Sequence, residues 1–295
     1  MIWNREEDMQ HDYYRPPSLH VMKGAFDQNN NLSVWKHRIT APSILFSQIL
    51  KMPFPYKEKV DIIAVEGAKH LPYEIPNMQV DFQMTKISIP LGWWRSVYDS
   101  QNAFANECFM DELAEKAGKD PVQFRLDLLP KSSRDAGVIK MVAEKSSWDQ
   151  FKNGPNYQGI SCHKSFGTWV AQVARVSVEN KKVKVHEVFC AVDCGIVINP
   201  AIVKAQISSA IIYGLSATLK SKITIKNGRV AQNNFDDFEV IRMNEAPKIH
   251  IYLTESDAQP KGVGEPGLPP IAPAVVNAVY AATGKRIREL PIQLS

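Results

Sequence analysis

The chain has 295 residues, of which 44% are apolar and 22% are charged, as in an ordinary globular protein of one or two domains. Its net charge of +4 is small, and the 35 basic and 31 acidic residues are interspersed, so no basic surface for nucleic acid is expected. We find no apolar stretch that approaches the length of a membrane span. The polar first residues lack the features of a signal peptide, so the sequence predicts a cytoplasmic protein.

The first half of the chain is predicted to be a strand-rich segment followed by helices. Alternating apolar residues indicate strands, whereas capping residues and helical spacing indicate helices. In chain order, we predict a hairpin over 18–26 and 32–39, a strand over 78–89, a helix from about Ser100 to Gly118, a helix opened by Asp120-Pro121, and a helix over 133–145.

The second half begins after a linker predicted at 153–156, where Asn-Gly-Pro-Asn interrupts the pattern. It is predicted to alternate hairpins and helices. In chain order, these are a hairpin over 170–178 and 183–192, a helix from Asn199-Pro200 to Leu219, a small hairpin with an Asn227-Gly228 type I′ turn, a strand over 249–253, and a helix over 271–282 ended by Gly284.

The four cysteines, Cys108, Cys162, Cys190 and Cys194, form no C-x-x-C pair. Asp193 lies beside Cys190 and Cys194, but a metal site would need more ligands nearby, and the closest histidine, His186, precedes a strand-like run. Structural thiols are therefore the favoured interpretation.

The loop Gly262–Gly267 allows two interpretations. Its G-x-G-x-x-G spacing between a strand and a helix is found in dinucleotide-binding turns, but a βαβ unit needs a second strand after the helix. Several prolines also remove amide donors that a pyrophosphate would use. Alternatively, Glu265 is a carboxylate on a rigid loop, which suits either a catalytic base or a solvated loop residue. Local sequence alone favours the solvated residue.

Longer segments resemble one family, in the order in which that family carries them. They are WNREEDMQHDYYRP, GWWRSVYDSQNAFANECFMDELAEKAGKDPVQFRLDLL, SFGTWVAQVARVSV, AVDCGIVINPAIVKAQ and GVGEPGLPPIAPAVVNAVYAATGKRIRELPI. Over nearly its whole length the chain is similar to molybdopterin-binding large subunits of the xanthine dehydrogenase/aldehyde oxidase family. Within the family, it is most similar to the branch of the isoquinoline 1-oxidoreductase beta subunits.

The resemblance implies a molybdenum hydroxylase or aldehyde oxidoreductase that hydroxylates an aldehyde or N-heterocycle carbon with oxygen drawn from water. It implies that a pterin dithiolene holds the molybdenum without any protein ligand, and that Glu265 is the catalytic base. Arg95, Gln101 and Gly264 are expected to lie close to the cofactor, although packing and a surface charge would also explain Arg95. The expected fold is α+β, with two mixed sheet-and-helix domains over 1–152 and 157–295 and the cofactor between them.

The resemblance also implies partners. An iron–sulfur small subunit is expected to carry the [2Fe-2S] clusters, because the four cysteines here lack cluster spacing. Two family segments that help to hold the cofactor, G-G-x-F-G and G-Q-G, are missing, so we expect a truncated C-terminal portion completed by another polypeptide. The alternative is a non-catalytic remnant that folds or assembles without turnover. Relatives with export signals make the periplasm an alternative location.

Overall fold

The computed structural model describes residues 1–46, 60–151 and 156–294. Most of the predicted linker at 153–156 therefore lies outside the described residues, and the division into domains 1–152 and 157–295 stays a prediction. The described residues form two mixed sheets with helices packed around them, so the predicted α+β class is confirmed.

The first sheet has three strands, β1 (Leu19–Phe26), β2 (Leu32–Pro42) and β3 (Asn77–Thr85). β1 and β2 form the predicted antiparallel hairpin, and β3 runs parallel to β2. β3 stops before the predicted end at residue 89 because its partner strand ends where Pro42, which has no amide donor, pairs with Thr85. A short helix that the sequence analysis missed, α1 (Arg5–Gln10), precedes the sheet and is held by a capping box of Asn4 and Glu7.

Three helices follow: α2 (Asp99–Lys116), α3 (Pro121–Asp127) and α4 (Arg134–Lys145). Gly118 is left-handed and ends α2 in a Schellman motif, in which the Lys119 amide donates to the Ala114 carbonyl at 2.9 Å. Asp120 caps α3 through two backbone amides, as predicted. A 3₁₀ turn over Trp148–Phe151 follows α4.

The remaining elements, in chain order, are β4 (Tyr157–Ser165), β5 (Thr168–Glu179), β6 (Lys182–Asp193), α5 (Pro200–Leu219), β7 (Ile225–Lys226), β8 (Arg229–Val230), β9 (Lys248–Leu253) and α6 (Ile271–Thr283). The second sheet has the order β4-β5-β6-β9, and only the β6–β9 pair is parallel. Positive φ angles at Asn227 and Gly228 fit the predicted type I′ turn.

The sequence analysis missed β4 because Gly159 weakens its strand pattern. A Cβ atom at this glycine would lie 2.2 Å from the Ala278 backbone nitrogen, so the glycine allows α6 to pack directly on the strand. The need for a glycine here comes from the packing of α6, so the sequence around Gly159 does not reveal it.

The length of α5 corrects the expectation that no apolar stretch approaches a membrane span. This 20-residue helix contains a window of mean hydropathy 1.3, which is long and apolar enough by length and composition. However, 44% of that window is buried, and Val203, Ile207, Ile211 and Leu215 pack in a core cluster. A buried core helix passes the same test, so α5 is weak evidence for a membrane.

The second sheet separates two apolar cores. One face packs with α5 and α6 around Val170 and Ala174, and the other packs with α2, α3 and α4 around Ala171 and Val173. β5 is buried on both faces over residues 170–176, so its residues there are apolar except for Gln172 and Arg175 and do not alternate. The core that packs with α2, α3 and α4 also contains Trp35 of the first sheet, so residues from both predicted domains share this core.

All four cysteines are buried and free of disulfides. Burial raises the pKa of the Cys190 thiol to about 12 and raises the pKa values of Cys108, Cys162 and Cys194 as well. Such thiols are poor nucleophiles and poor metal ligands, which fits the structural role that was predicted for them.

Candidate functional site

The Glu265 loop, Gly262–Gly267, lies in the connection between β9 and α6. Residues 285–294, which follow α6 and its C-cap Gly284, contain no strand. Side chains from elsewhere in the fold bind the carbonyl oxygens of this connection. The donors and their acceptors are Thr168 to Gly262, Arg95 to Gly264, Ser96 to Glu265, Gln172 to Gly267, and Ser161 to Pro270.

These contacts fix the loop without regular secondary structure. The hydroxyl of Thr168 donates at 2.7 Å, and the Gln172 amide donates at 2.8 Å from within the core. Because the loop is rich in glycine and proline, side-chain donors replace the backbone partners that a helix or strand would provide. The loop is therefore positioned by several distant elements.

Arg95 joins the Glu265 loop to helix α5. Its Nε donates to the Gly264 carbonyl at 2.8 Å, and its Nη2 also donates to that oxygen. Nη1 donates to Ser209 Oγ at 3.0 Å, and Nη2 reaches the Gln206 carbonyl and side-chain oxygens at 3.3 Å. A planar guanidinium suits such a fork of acceptors, which a lysine would not satisfy.

Ser96 binds Glu265 twice. The Ser96 backbone amide donates to Glu265 Oε1 at 2.9 Å, and the Ser96 hydroxyl donates to the Glu265 carbonyl at 2.8 Å. The second carboxylate oxygen, Oε2, has no hydrogen-bond partner in the part of the chain that the structure describes. The Glu265 side chain is half-buried. Its carboxylate is therefore held through Oε1, while Oε2 is free to accept a proton.

Gln101 lies on the first turn of α2 and makes no hydrogen bond to Arg95 or Glu265. Its Oε1 accepts from Arg15 Nη2 at 3.2 Å and lies 2.8 Å from the Ser100 hydroxyl oxygen. Its Nε2 is buried and has no partner among the described residues, so one amide donor stays available. The structure thus brings Arg95, Gly264 and Glu265 together, and Gln101 belongs to a neighbouring polar group.

Two aromatic rings lie beside the guanidinium groups of Arg15 and Arg95. Trp94 and Tyr213 pack with ring centroids 5.1 Å apart. The Arg15 guanidinium lies 4.3 Å from the Trp94 ring, and Arg95 lies 6.0 Å from the Tyr213 ring. Burial lowers the pKa of Arg15 to about 10, which still leaves this residue charged at neutral pH. The site therefore combines cations, flat apolar rings and one carboxylate.

Two family models, both described as "Molybdopterin cofactor-binding domain", match residues 1–128 and 98–247. The chain belongs to the molybdopterin cofactor-binding domain family. The resemblance to large subunits of the xanthine dehydrogenase/aldehyde oxidase family is thereby confirmed.

Relatives of this chain include the isoquinoline 1-oxidoreductase subunit beta of Brevundimonas diminuta, which is 31% identical over 99% of the chain and 38% of the relative. A second is the membrane-bound aldehyde dehydrogenase [pyrroloquinoline-quinone] of Gluconacetobacter polyoxogenes, 29% identical over 99% of the chain and 41% of the relative. The chain thus spans about two fifths of the length of these curated relatives.

Among solved structures, the fold of this chain is similar to that of quinoline 2-oxidoreductase from Pseudomonas putida 86. The TM-score is 0.80 at 13% identity, over 96% of this chain and 61% of that one. At this identity, the similarity establishes the shared fold alone.

The residues of the site fit a flat, anionic pterin cofactor. A Cβ atom at Gly264 would meet nothing within 4 Å, so the surface beside Glu265 is open to a ligand. The unpartnered Nε2 of Gln101 supplies a hydrogen-bond donor, and Arg15 and Arg95 supply positive charge. Among the described residues, no group of three or more histidine, cysteine and acidic side chains is arranged to hold a metal ion directly.

Sequence reasoning missed most of the supporting residues. Ser96, Thr168, Gln172, Gln206 and Ser209 were not singled out as contacts of the site, although each binds Arg95 or the Glu265 loop. Gln206 and Ser209 lie three residues apart on α5 and therefore share one helix face, which is a signal that could have paired them. The others are linked to the loop only by the tertiary fold.

Proposed function

We propose that this chain forms part of the catalytic subunit of a molybdenum hydroxylase or aldehyde oxidoreductase, with Glu265 as its general base. The supporting observation is that Arg95 and Ser96 bind Gly264 and Glu265 across 169 residues of sequence. The resemblance independently singles out these two segments. The reaction would hydroxylate an aldehyde or N-heterocycle carbon with oxygen from water.

In this proposal, the residues of the chain have distinct tasks. Glu265 Oε2 takes the proton from the water-derived oxygen, while the bond from the Ser96 amide holds Oε1 in place. Arg95 fixes the carbonyl of Gly264, and with Gln101 and the open surface at Gly264 it would hold the cofactor. Bound molybdopterin supplies the molybdenum that accepts the two electrons removed from the substrate.

The proposal also includes the expected partners. An iron–sulfur small subunit would carry electrons away, and a further polypeptide segment would complete the cofactor site, because the relatives are about two and a half times as long as the matched region. The substrate would be a small aldehyde or N-heterocycle. The predicted cytoplasmic location, with the periplasm as its alternative, stays a prediction.

The experiment is Glu265→Gln in the protein purified with its co-purifying subunits. Turnover of an aromatic aldehyde and of a bicyclic N-heterocycle is measured with a dye acceptor, together with molybdenum content. We expect turnover to fall at least about 100-fold, with molybdenum content unchanged, because a general base of this kind contributes about 10²–10⁴-fold. Glu255→Gln, at an exposed glutamate of the same connection, is the matched control.

The outcomes separate the alternatives. Turnover of Glu265→Gln within tenfold of the parent protein would contradict the role of Glu265. A parent protein that carries molybdenum but oxidises neither substrate class would support the non-catalytic alternative. A parent protein that contains a quinone and no molybdenum would contradict the cofactor assignment.

A further inference from the structure

The turn that leads into α2 has an uncommon backbone. Ser96 has a φ of 70° and Val97 a φ of 46°, so two successive residues with side chains adopt the left-handed region. This conformation is unfavourable for a β-branched residue such as Val97. The turn persists because the Val97 amide donates to the Trp94 carbonyl at 2.7 Å and the Ser100 hydroxyl donates to the Val97 carbonyl at 2.8 Å.

Strained turns of this kind remain where the surrounding structure determines them, and they are concentrated at functional sites. Here the strained turn contacts the candidate base, because Ser96 in the turn binds Glu265. Ser96 is fully buried, so solvent does not compete for its two hydrogen bonds. The amide fixes the Glu265 carboxylate and the hydroxyl fixes the Glu265 backbone.

We propose that Ser96 is a positioning residue that holds Glu265 in the orientation needed for proton transfer. The inference rests on the proposed function, since it takes Glu265 as the base. A carboxylate held at the side chain alone could still move with its loop, and one held at the backbone alone could change rotamer. Two bonds from one buried residue remove both motions.

The test compares Ser96→Ala with Ser96→Gly. Both variants lose the hydroxyl and keep the backbone amide, but glycine adopts a φ of 70° without steric strain and alanine does not. We expect both variants to lower kcat about 10- to 100-fold while KM and molybdenum content stay unchanged, since small misplacements of catalytic groups have effects of this size. The glycine variant should melt no lower than the alanine variant.

The matched control is Ser221→Ala. The hydroxyl of Ser221 also donates to a glutamate carbonyl, that of Glu239 at 2.7 Å, in a contact that lies outside the site. We expect this variant to keep the kcat of the parent protein.

A second readout needs no turnover. Hydrogen exchange of the chain should show faster deuterium uptake at 262–268 in both Ser96 variants and no change in Ser221→Ala. Conversely, Glu265→Ala should speed exchange at the Ser96 amide, which loses its carboxylate acceptor.

Two results would overturn the inference. One is unchanged exchange at 262–268 together with a parent-like kcat in both Ser96 variants, while Glu265→Gln is inactive. The other is recovery of kcat in Ser96→Gly alongside recovery of stability, because it would show that backbone strain and not the hydroxyl matters. If Glu265→Gln keeps its turnover, the proposed function fails instead, whatever the exchange data show.

Discussion

The Arg95 guanidinium donates to the Gly264 carbonyl through Nε at 2.8 Å, although 169 residues separate the two positions. The same guanidinium binds Gln206 and Ser209 on α5. Arg95 therefore ties the Glu265 loop to a core helix.

Replacing Arg95 by lysine tests this link. An ammonium lacks the planar fork of the guanidinium, so Arg95→Lys cannot reach the Gly264 carbonyl and Ser209 together. We expect turnover to fall about 10- to 100-fold and hydrogen exchange at 262–268 to accelerate. Arg38→Lys, whose side chain is 59% exposed, is the control and should resemble the parent protein in both measurements.

Gly264→Ala separates folding from cofactor binding. The added Cβ would meet nothing within 4 Å, so the melting temperature should stay within about 2 °C of the parent value. If the cofactor occupies this open surface, molybdenum content or turnover should fall severalfold. Gly137→Ala, in α4 and equally free of contacts, should keep the molybdenum content and gain slightly in stability. Full molybdenum content and turnover in Gly264→Ala would place the cofactor elsewhere.

Glu107→Gln should destabilise the fold strongly. Glu107 is 2% exposed and accepts from Arg125 Nε at 3.0 Å, the Tyr73 hydroxyl at 2.8 Å and the Cys162 amide at 2.9 Å. Removing the charge takes from the fully buried Arg125 its ion-pair partner, which costs about 3–5 kcal/mol of unfolding free energy. Chemical denaturation measures this value, and Glu144→Gln, 73% exposed, should change it by less than about 1 kcal/mol.

Acidification should weaken the first sheet through two histidines. His20 Nδ1 and His37 Nε2 lie 2.8 Å apart. Burial lowers the pKa of His20 to about 4, and the charge of Arg15 lowers it further by a smaller amount. Burial also lowers the pKa of His37 to about 3, with a smaller contribution from His20. Below the ordinary value of 6.5, the unfolded chain binds more protons than the folded one. Stability should therefore fall as the pH drops from about 6.5 towards 4.

Urea denaturation at several pH values measures this loss, which we expect to be on the order of 3 kcal/mol between pH 6.5 and pH 5 for the two histidines together. His37→Gln should reduce the dependence on pH. His11→Gln, at an exposed histidine, should leave it unchanged. A pH dependence in His37→Gln equal to that of the parent protein would contradict the assignment.

The features predicted correctly from the sequence are mostly local. Gly118 and Gly284 end helices in left-handed conformations, and Asn227-Gly228 forms its hairpin turn, because a few neighbouring residues determine each of these structures. The family resemblance added the two segments that meet at Arg95 and Gly264. Local sequence alone favoured a solvated Glu265.

Most of the features that were missed depend on distant partners; the exception is α1, which its own capping box stabilises. Glu107 reads as one of several acidic residues on a helix, and its burial depends on Arg125 and on a strand amide 55 residues away. Ser96 has no local feature that identifies a partner 169 residues further along the chain. The double burial of β5 likewise depends on helices that pack on both of its faces.

The side-chain donors that bind the Glu265 loop and the start of α6 all precede that loop in the chain: they are Arg95, Ser96, Ser161, Thr168 and Gln172. During synthesis, every donor therefore leaves the ribosome before its acceptor, and domains tend to form from the N-terminal side. When the loop is synthesised, the residues that donate hydrogen bonds to it are already part of the chain. Within this chain, the site can therefore close only after the loop has been made, and a nascent chain that stalls before residue 262 would present the donors without the base.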